Sequence, residues 1–211
     1  MCNKNMFRKA GQRMIGEGQY GQVFEGIIPG RVTKVGEDIR AMQEEAEFQK
    51  RAAGMGLAPS VTDTGLNADY MPTIEMTDLR DNYERHGQKA RGFPEGIDAV
   101  RVNQQLGQLA LNNMYLGDRH NNNVFYNKMT GRPKQIDFGI ARNVEGYDQV
   151  QALTNATSDG FEAAGIPDMG DLLRGIVYDY LEGGQIDEAM DVAKQGFSRL
   201  QKIRNAAPSI T

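Results

Sequence analysis

The apolar residues of this chain change their spacing part-way along it. In the first third they come in short, branched runs: Gln12-Arg-Met-Ile15, Val23-Phe-Glu-Gly-Ile-Ile28 and Arg31-Val-Thr-Lys-Val35, the last two separated by Pro29-Gly30. Branched runs around a Pro-Gly pair predict strand, turn, strand. Residues 37–53 contain no Gly or Pro and are good helix formers, so they predict one helix, ended by Gly54 and Gly56. Leu57–Val61 and Met71–Thr77 predict the next strands. Residues 80–96 are charged and hold Gly87, Gly92 and Pro94, which predicts a linker. From there the spacing is helical. Val102, Leu106, Leu109, Ala110 and Met114 make one stripe over 98–114. Residues 141–165 read as polar. Leu172, Leu173, Ile176, Val177, Tyr180 and Leu181 form a second stripe, and Ala189, Ala193, Phe197, Leu200 and Ile203 a third. Gly183-Gly184 splits these last two into a packing hairpin.

Composition narrows the class without naming a function. The 211 residues are 39% hydrophobic and 25% charged, ordinary for a soluble globular protein with a real core. No run approaches the length of a membrane span, and Met1–Arg13 lacks the apolar centre of a secretory signal. The single cysteine, Cys2, excludes an internal disulfide framework, and His86 and His120 alone cannot make a zinc set. A reducing compartment suits this, so the expected location is cytoplasmic, or the host cytoplasm if a phage or pathogen encodes the chain. A net charge of -4 argues against broad nucleic-acid binding, and no nucleic-acid partner is expected.

Four short motifs carry chemistry. Gly16-Glu-Gly18-Gln-Tyr-Gly21-Gln-Val23 puts three glycines where backbone would turn tightly and approach phosphate oxygens, with a valine two residues on. A dinucleotide-binding fold uses the same glycines but follows them with a helix, whereas strand and turn signals follow here. Lys34 lies between Val32 and Val35 on the third predicted strand. Leu116-Gly-Asp-Arg-His-Asn-Asn-Asn-Val124 sets Asp118 five residues before Asn123, and Ile136-Asp-Phe-Gly139 sets Asp137 before a glycine. Phosphoryl transfer needs this inventory: a carboxylate to orient a hydroxyl, and an amide and second carboxylate for magnesium.

In this order the motifs resemble the protein-kinase-like superfamily, over roughly residues 13–142. The catalytic loop looks most like that of phosphatidylinositol kinases, and aminoglycoside kinases are similar in their Asp-x-His. The resemblance implies an α+β, bilobal protein-kinase-like fold. Residues 1–78 would form a small antiparallel-sheet N-lobe, with a single helix and a hinge near 75–77. Residues 79–211 would form a reduced, mainly helical C-lobe holding a catalytic loop at 118–123 and a metal loop at 137–139. It further implies ATP and Mg2+ as cofactors. Gly16, Gly18, Gly21, Val23 and Lys34 would hold the nucleotide, with Glu75 and Met76 at the adenine. Asp118 would orient the acceptor hydroxyl, His120 would contact the transferred phosphate or Asp118, and Asn123 and Asp137 would hold the metal. Glu44, Glu45 and Glu47 compete to pair with Lys34, and Glu45 is the choice the resemblance favours.

The departures matter as much. Leu116 and Gly117 replace the His-Arg that usually precedes the catalytic aspartate, and no Ala-Pro-Glu follows the metal loop. Activation-loop control is therefore not expected; constitutive activity or a regulatory protein partner is. The expected acceptor is a protein Ser/Thr hydroxyl, including autophosphorylation at Thr154, Thr157 or Ser158. A small-molecule or lipid acceptor ranks second, and a nucleotide-binding pseudokinase serving as scaffold or regulator is the reading from another class.

Overall fold

The structure, a computed structural model, describes residues 12–18, 21–85, 96–118 and 121–206. The branched runs form β1 (Met14–Gly18), β2 (Gly21–Glu25) and β3 (Arg31–Val35), with Gly30 supplying the positive φ of 78° that closes the turn before β3. β4 (Val61–Leu66) and β5 (Pro72–Thr77) complete an antiparallel sheet in the order β1-β2-β3-β5-β4. The strand expected at Leu57–Val61 is displaced: β4 begins at Val61, and Leu57 instead ends the preceding helix turn, its amide donating to the Ala52 carbonyl at 2.9 Å.

Between β3 and β4 runs α1 (Ile39–Gly54), capped by Asp38, whose carboxylate accepts from the Ala41 amide at 3.0 Å. At its far end Gly56 takes a φ of 76°, and its amide closes onto Ala53. The buried face of α1 is Met42, Glu45, Ala46, Gln49 and Ala52, at helical spacing. Met42 and Ala46 pack against Val32, Ile74 and Met76 of the sheet. Two of the five buried residues are polar. Gln49 is satisfied by the Pro59 carbonyl at 3.2 Å, while Glu45 belongs to the site described below.

The chain divides into two compact units. The first comprises residues up to 85 together with 123–130 and 134–140. Besides the sheet it contains β6 (Tyr83–Glu84) paired antiparallel with a later strand, Val124–Asn127, which in turn borders Pro133–Gln135.

The second unit is helical: α2 (Gly96–Leu111), β7 (Met114–Tyr115), then, after β8 (Val124–Asn127) and β9 (Pro133–Gln135) of the first unit's small sheet, β10 (Arg142–Asn143), α3 (Gly146–Ala163), α4 (Pro167–Glu182) and α5 (Ile186–Ala206). β7 and β10 pair antiparallel. The architecture is thus α+β, with the five-stranded sheet N-terminal and, among the described residues, four of five helices C-terminal, as expected. Among the described residues no helix is long and apolar enough to cross a membrane.

Two sequence expectations change here. The polar stretch 141–165 contains α3, whose buried face includes Val150, Leu153 and Phe161 but also Thr154, Thr157, Ser158 and Gly160. Small and hydroxylated residues at those positions hide an apolar stripe from a hydropathy reading. On α4 the buried side is Gly170, Leu173, Val177 and Leu181; Leu172 and Ile176, assigned to the same face, are exposed. α5 buries Ala189, Ala193, Phe197 and Leu200 as its stripe predicts.

Candidate active site

Lys34 lies in β3, where alternation turns its side chain inward together with Val32. A buried ammonium needs anionic partners, and it has two. Its Nζ donates to Glu45 Oε1 at 2.6 Å and to Asp137 Oδ1 at 2.9 Å. The three residues come from β3, α1 and the segment after β9. Glu45 is the glutamate that meets the lysine; Glu44 pairs with Arg40 and Glu47 with Lys50, both on the exposed side of α1.

Burial alone would draw the Lys34 ammonium down, but the adjacent Glu45 and Asp137 carboxylates outweigh it and hold the group above the ordinary lysine range. Burial pushes the Glu45 carboxyl up, against the pull of Lys34. The backbone amide of Phe138 also donates to Glu45, so this carboxylate joins strand, helix and the Asp137 segment. That bond was not legible in the sequence, because it joins residues far apart in the chain.

Asp137 is the open member of the cluster, with 30% of its side chain exposed against 8% for Lys34 and 2% for Glu45. Its φ is 62°, a left-handed conformation that Asp and Asn tolerate better than other non-glycine residues. Strain of this kind persists where surroundings enforce it, and here Lys34 and the neighbouring strand do so. The Ile136 amide donates to the Asn123 carbonyl at 2.8 Å, so Asn123 and Asp137 sit on adjacent, hydrogen-bonded segments. Asn123 ends a short 3-10 turn over Asn121–Asn123 and is buried.

Gly16, Gly18 and Gly21 flank the β1–β2 hairpin, with Gly18 paired to Gly21. Only Gly21 is required by the fold: its φ is 144° and a Cβ there would strike the Val35 carbonyl. A Cβ on Gly16 would meet Val23 at an ordinary 3.7 Å, and one on Gly18 would meet nothing. The open backbone at Gly18 therefore has no packing cause. Gly21→Ala is expected to lower stability by about 1–3 kcal/mol through overpacking. Gly18→Ala is expected to leave the melting temperature in place and, if the hairpin amides hold phosphate, to weaken nucleotide affinity. Thermal melts beside nucleotide titrations of both variants would distinguish the two; equal effects on both readouts would refute the assignment.

Val23 lines the sheet opposite Lys34 in register and packs on the N-terminal core. Glu75 and Met76 lie mid-strand in β5, hydrogen-bonded to β3 on one edge and β4 on the other. Met76 is buried in the core, and the Glu75 carboxylate is taken by Arg31 and by the Thr62 hydroxyl. The segment leaving β5 is held in place by its own pairs. The Asp78 amide donates to the Gly30 carbonyl at 2.9 Å, and Arg80 meets the Asp78 carboxylate at 2.6 Å, holding it below its usual range.

Asp118 belongs to the second unit, on the segment following β7, and is partly buried. His120 lies outside the described residues. Among the described residues no three His, Cys, Asp or Glu gather into a metal cluster. Magnesium in a phosphate-binding site needs only one or two protein oxygens, the rest coming from phosphates and water, and the Asp137 carboxylate, 30% exposed, is an oxygen of the kind such an ion takes.

No protein-family profile and no curated protein matches the chain. Among solved structures it is similar to the Cydia pomonella granulovirus kinase PK-1, at 13% identity and a TM-score of 0.49, over 72% of this chain and 70% of that one. Likeness at that level leaves the functional reading to the residues themselves.

Proposed function

We propose that the chain is an ATP- and magnesium-dependent phosphotransferase that moves the γ-phosphate to a hydroxyl, with a protein Ser or Thr as acceptor. The observation that carries this reading is the buried Lys34 cation held between a buried and a half-open carboxylate. A purely structural ion pair would need one partner; the second, on a strained backbone and open to solvent, is positioned to exchange Lys34 for something brought from outside. The uncrowded backbone of Gly16 and Gly18 supports the same reading, since amides there would face phosphate oxygens.

In this scheme Lys34 contacts the non-transferred phosphates, and Glu45 keeps its ammonium aimed. Asp137 and Asn123 hold magnesium, which when bound offsets charge on the transferring group. Asp118 accepts or orients the proton of the attacking hydroxyl, and His120 contacts the transferred phosphate. Positioning and charge supply most of the rate. The base would be met beyond Thr77 rather than at Glu75 and Met76, whose main chain is shared with neighbouring strands.

The acceptor does not include the hydroxyls first favoured for autophosphorylation. Thr154, Thr157 and Ser158 are all buried in α3, with Thr157 donating to the Leu153 carbonyl and Ser158 to that of Gly170. Transfer from labelled ATP-Mg to a generic protein acceptor tests the proposal, with Lys34→Met and Asp118→Asn as controls. Label on the acceptor, abolished by both substitutions and absent from peptides containing 154–158, is the expected result. Nucleotide binding without transfer to any hydroxyl would leave a scaffold, and no nucleotide binding would end the proposal.

A further inference from the structure

Among the described residues five glycines lie inside the helices of the second unit, and at four of them a neighbouring group occupies the space a side chain would take. A Cβ on Gly107 of α2 would strike the Phe197 ring, one on Gly160 of α3 the Leu200 side chain, and one on Gly196 of α5 the Leu173 side chain; Gly170 abuts the Ser158 carbonyl. In three of the four, a large apolar side chain from a neighbouring helix seats in the notch. The fifth, Gly175, stands at the middle of α4 with open space above it and without the positive φ that would demand glycine. Glycine there lowers the helix propensity of α4 relative to alanine.

The surroundings of that notch are specific. At about 100° per residue, Asp168, Asp171, Asp179 and Glu182 fall within about 40° of Gly175 around the helix, and Leu172 and Ile176 lie to one side at about 60° and about 100°. Leu172 is 60% exposed and Ile176 38%. The only basic residue of α4, Arg174, is committed to Asp159 at 2.7 Å and to Asp171 at 3.2 Å. The face is therefore an acidic row beside an apolar rail, broken at its centre by a glycine with open space above it.

We propose that this face of α4 docks a basic amphipathic helix of a partner protein. Apolar residues of that helix would cover Leu172 and Ile176, its Lys and Arg side chains would lie along the acidic row, and the two backbones would come closest at Gly175. A second copy of this face would set acid against acid, and an anionic membrane would be repelled in the same way, so charge selects a basic partner. A helix is indicated because side chains from helices fill the equivalent notches within the unit. The proposal holds whether or not the chain transfers phosphate.

The test uses the whole chain and a synthetic amphipathic peptide of about eighteen residues built from Leu and Lys, long enough for five turns, with a second peptide in which every Lys is Glu. Titration calorimetry gives affinity, and amide shifts locate the contact. The Leu/Lys peptide is expected to bind and to shift amides of residues 168–182, and the Leu/Glu peptide to do neither. Gly175→Leu raises helix propensity and so keeps α4 folded, yet is expected to weaken binding by about tenfold or more by filling the notch. Asp179→Lys should weaken it as well. No binding, equal binding by Gly175→Leu, or shifts confined to another surface would overturn the proposal. So would a wild-type dimer dispersed by Gly175→Leu, which would make the occupant a second copy, or capture by phosphatidylserine vesicles, which would make it a membrane.

Discussion

Lys34→Met is expected to abolish phosphate transfer and to lower stability by about 3–5 kcal/mol, because it leaves Glu45 buried without its cation. The size follows from burial on both sides of the pair: an exposed ion pair would contribute only about 0–1 kcal/mol. Lys34→Met combined with Glu45→Leu should recover most of the stability and none of the activity, since the unpaired charge is gone but so is the phosphate ligand. The pH dependence has a definite sign. The folded state holds Lys34 above its ordinary range, so its contribution is complete below the unfolded lysine value of about 10.4 and is lost as pH rises through the raised one. Over about pH 6 to about pH 9 the lysine contribution itself is constant, so narrowing of the gap between wild type and Lys34→Met toward the acid end reports protonation of the unpaired, buried Glu45 in the variant, and the lysine contribution is lost only in strong alkali. Denaturant unfolding across that range measures it. A gap below about 1 kcal/mol would mean that the pair is solvated and Lys34 is an ordinary surface charge.

The parts of the fold that could be read from sequence were those where local chemistry and tertiary demand agree. Gly-rich hairpin, Pro29-Gly30 turn and the unbroken helix formers of α1 each specify one conformation, and Gly56 supplies the left-handed residue that ends the helix. Glu45, the choice the resemblance favours among three glutamates, is the one that meets Lys34, and its spacing from Met42 and Ala46 puts it on the buried face of the helix. Hydropathy failed where burial is achieved by small polar residues. In α3, Thr154, Thr157 and Ser158 occupy core positions, and Gly160 admits Leu200, so the segment looks like a polar connection. It failed in the opposite direction on α4, where Leu172 and Ile176 look like core and are not. Glu75 and Met76 show a third limit: which strand of a sheet is central, with both edges hydrogen-bonded, is a property of topology and not of the strand's own residues.

Asp137→Asn is expected to reduce turnover by at least about 10²–10³-fold while changing stability by less than about 1 kcal/mol. Asparagine has the same shape and, like aspartate, accepts a φ near the 62° that residue 137 adopts, so the backbone has no reason to move. What changes is charge. A neutral amide no longer balances Lys34 from the solvent side, and it binds magnesium more weakly than a carboxylate. Because Asp137 is partly exposed, its loss leaves no isolated buried ion, and Glu45 still holds Lys34 at 2.6 Å. Asp137→Ala serves as the internal comparison: equally inactive, but less stable than Asp137→Asn by about 1–2 kcal/mol because a Cβ-bearing residue without a hydrogen-bonding side chain is strained at this φ. Turnover from labelled ATP and thermal melts on the two variants separate chemistry from backbone. An Asp137→Asn protein that still transfers phosphate at the wild-type rate would remove Asp137 from the metal site and leave it a structural partner of Lys34. Nucleotide binding and a partner-dependent function that both survive in an inactive wild type would instead favour the scaffold, because a scaffold needs the site's shape and not its turnover.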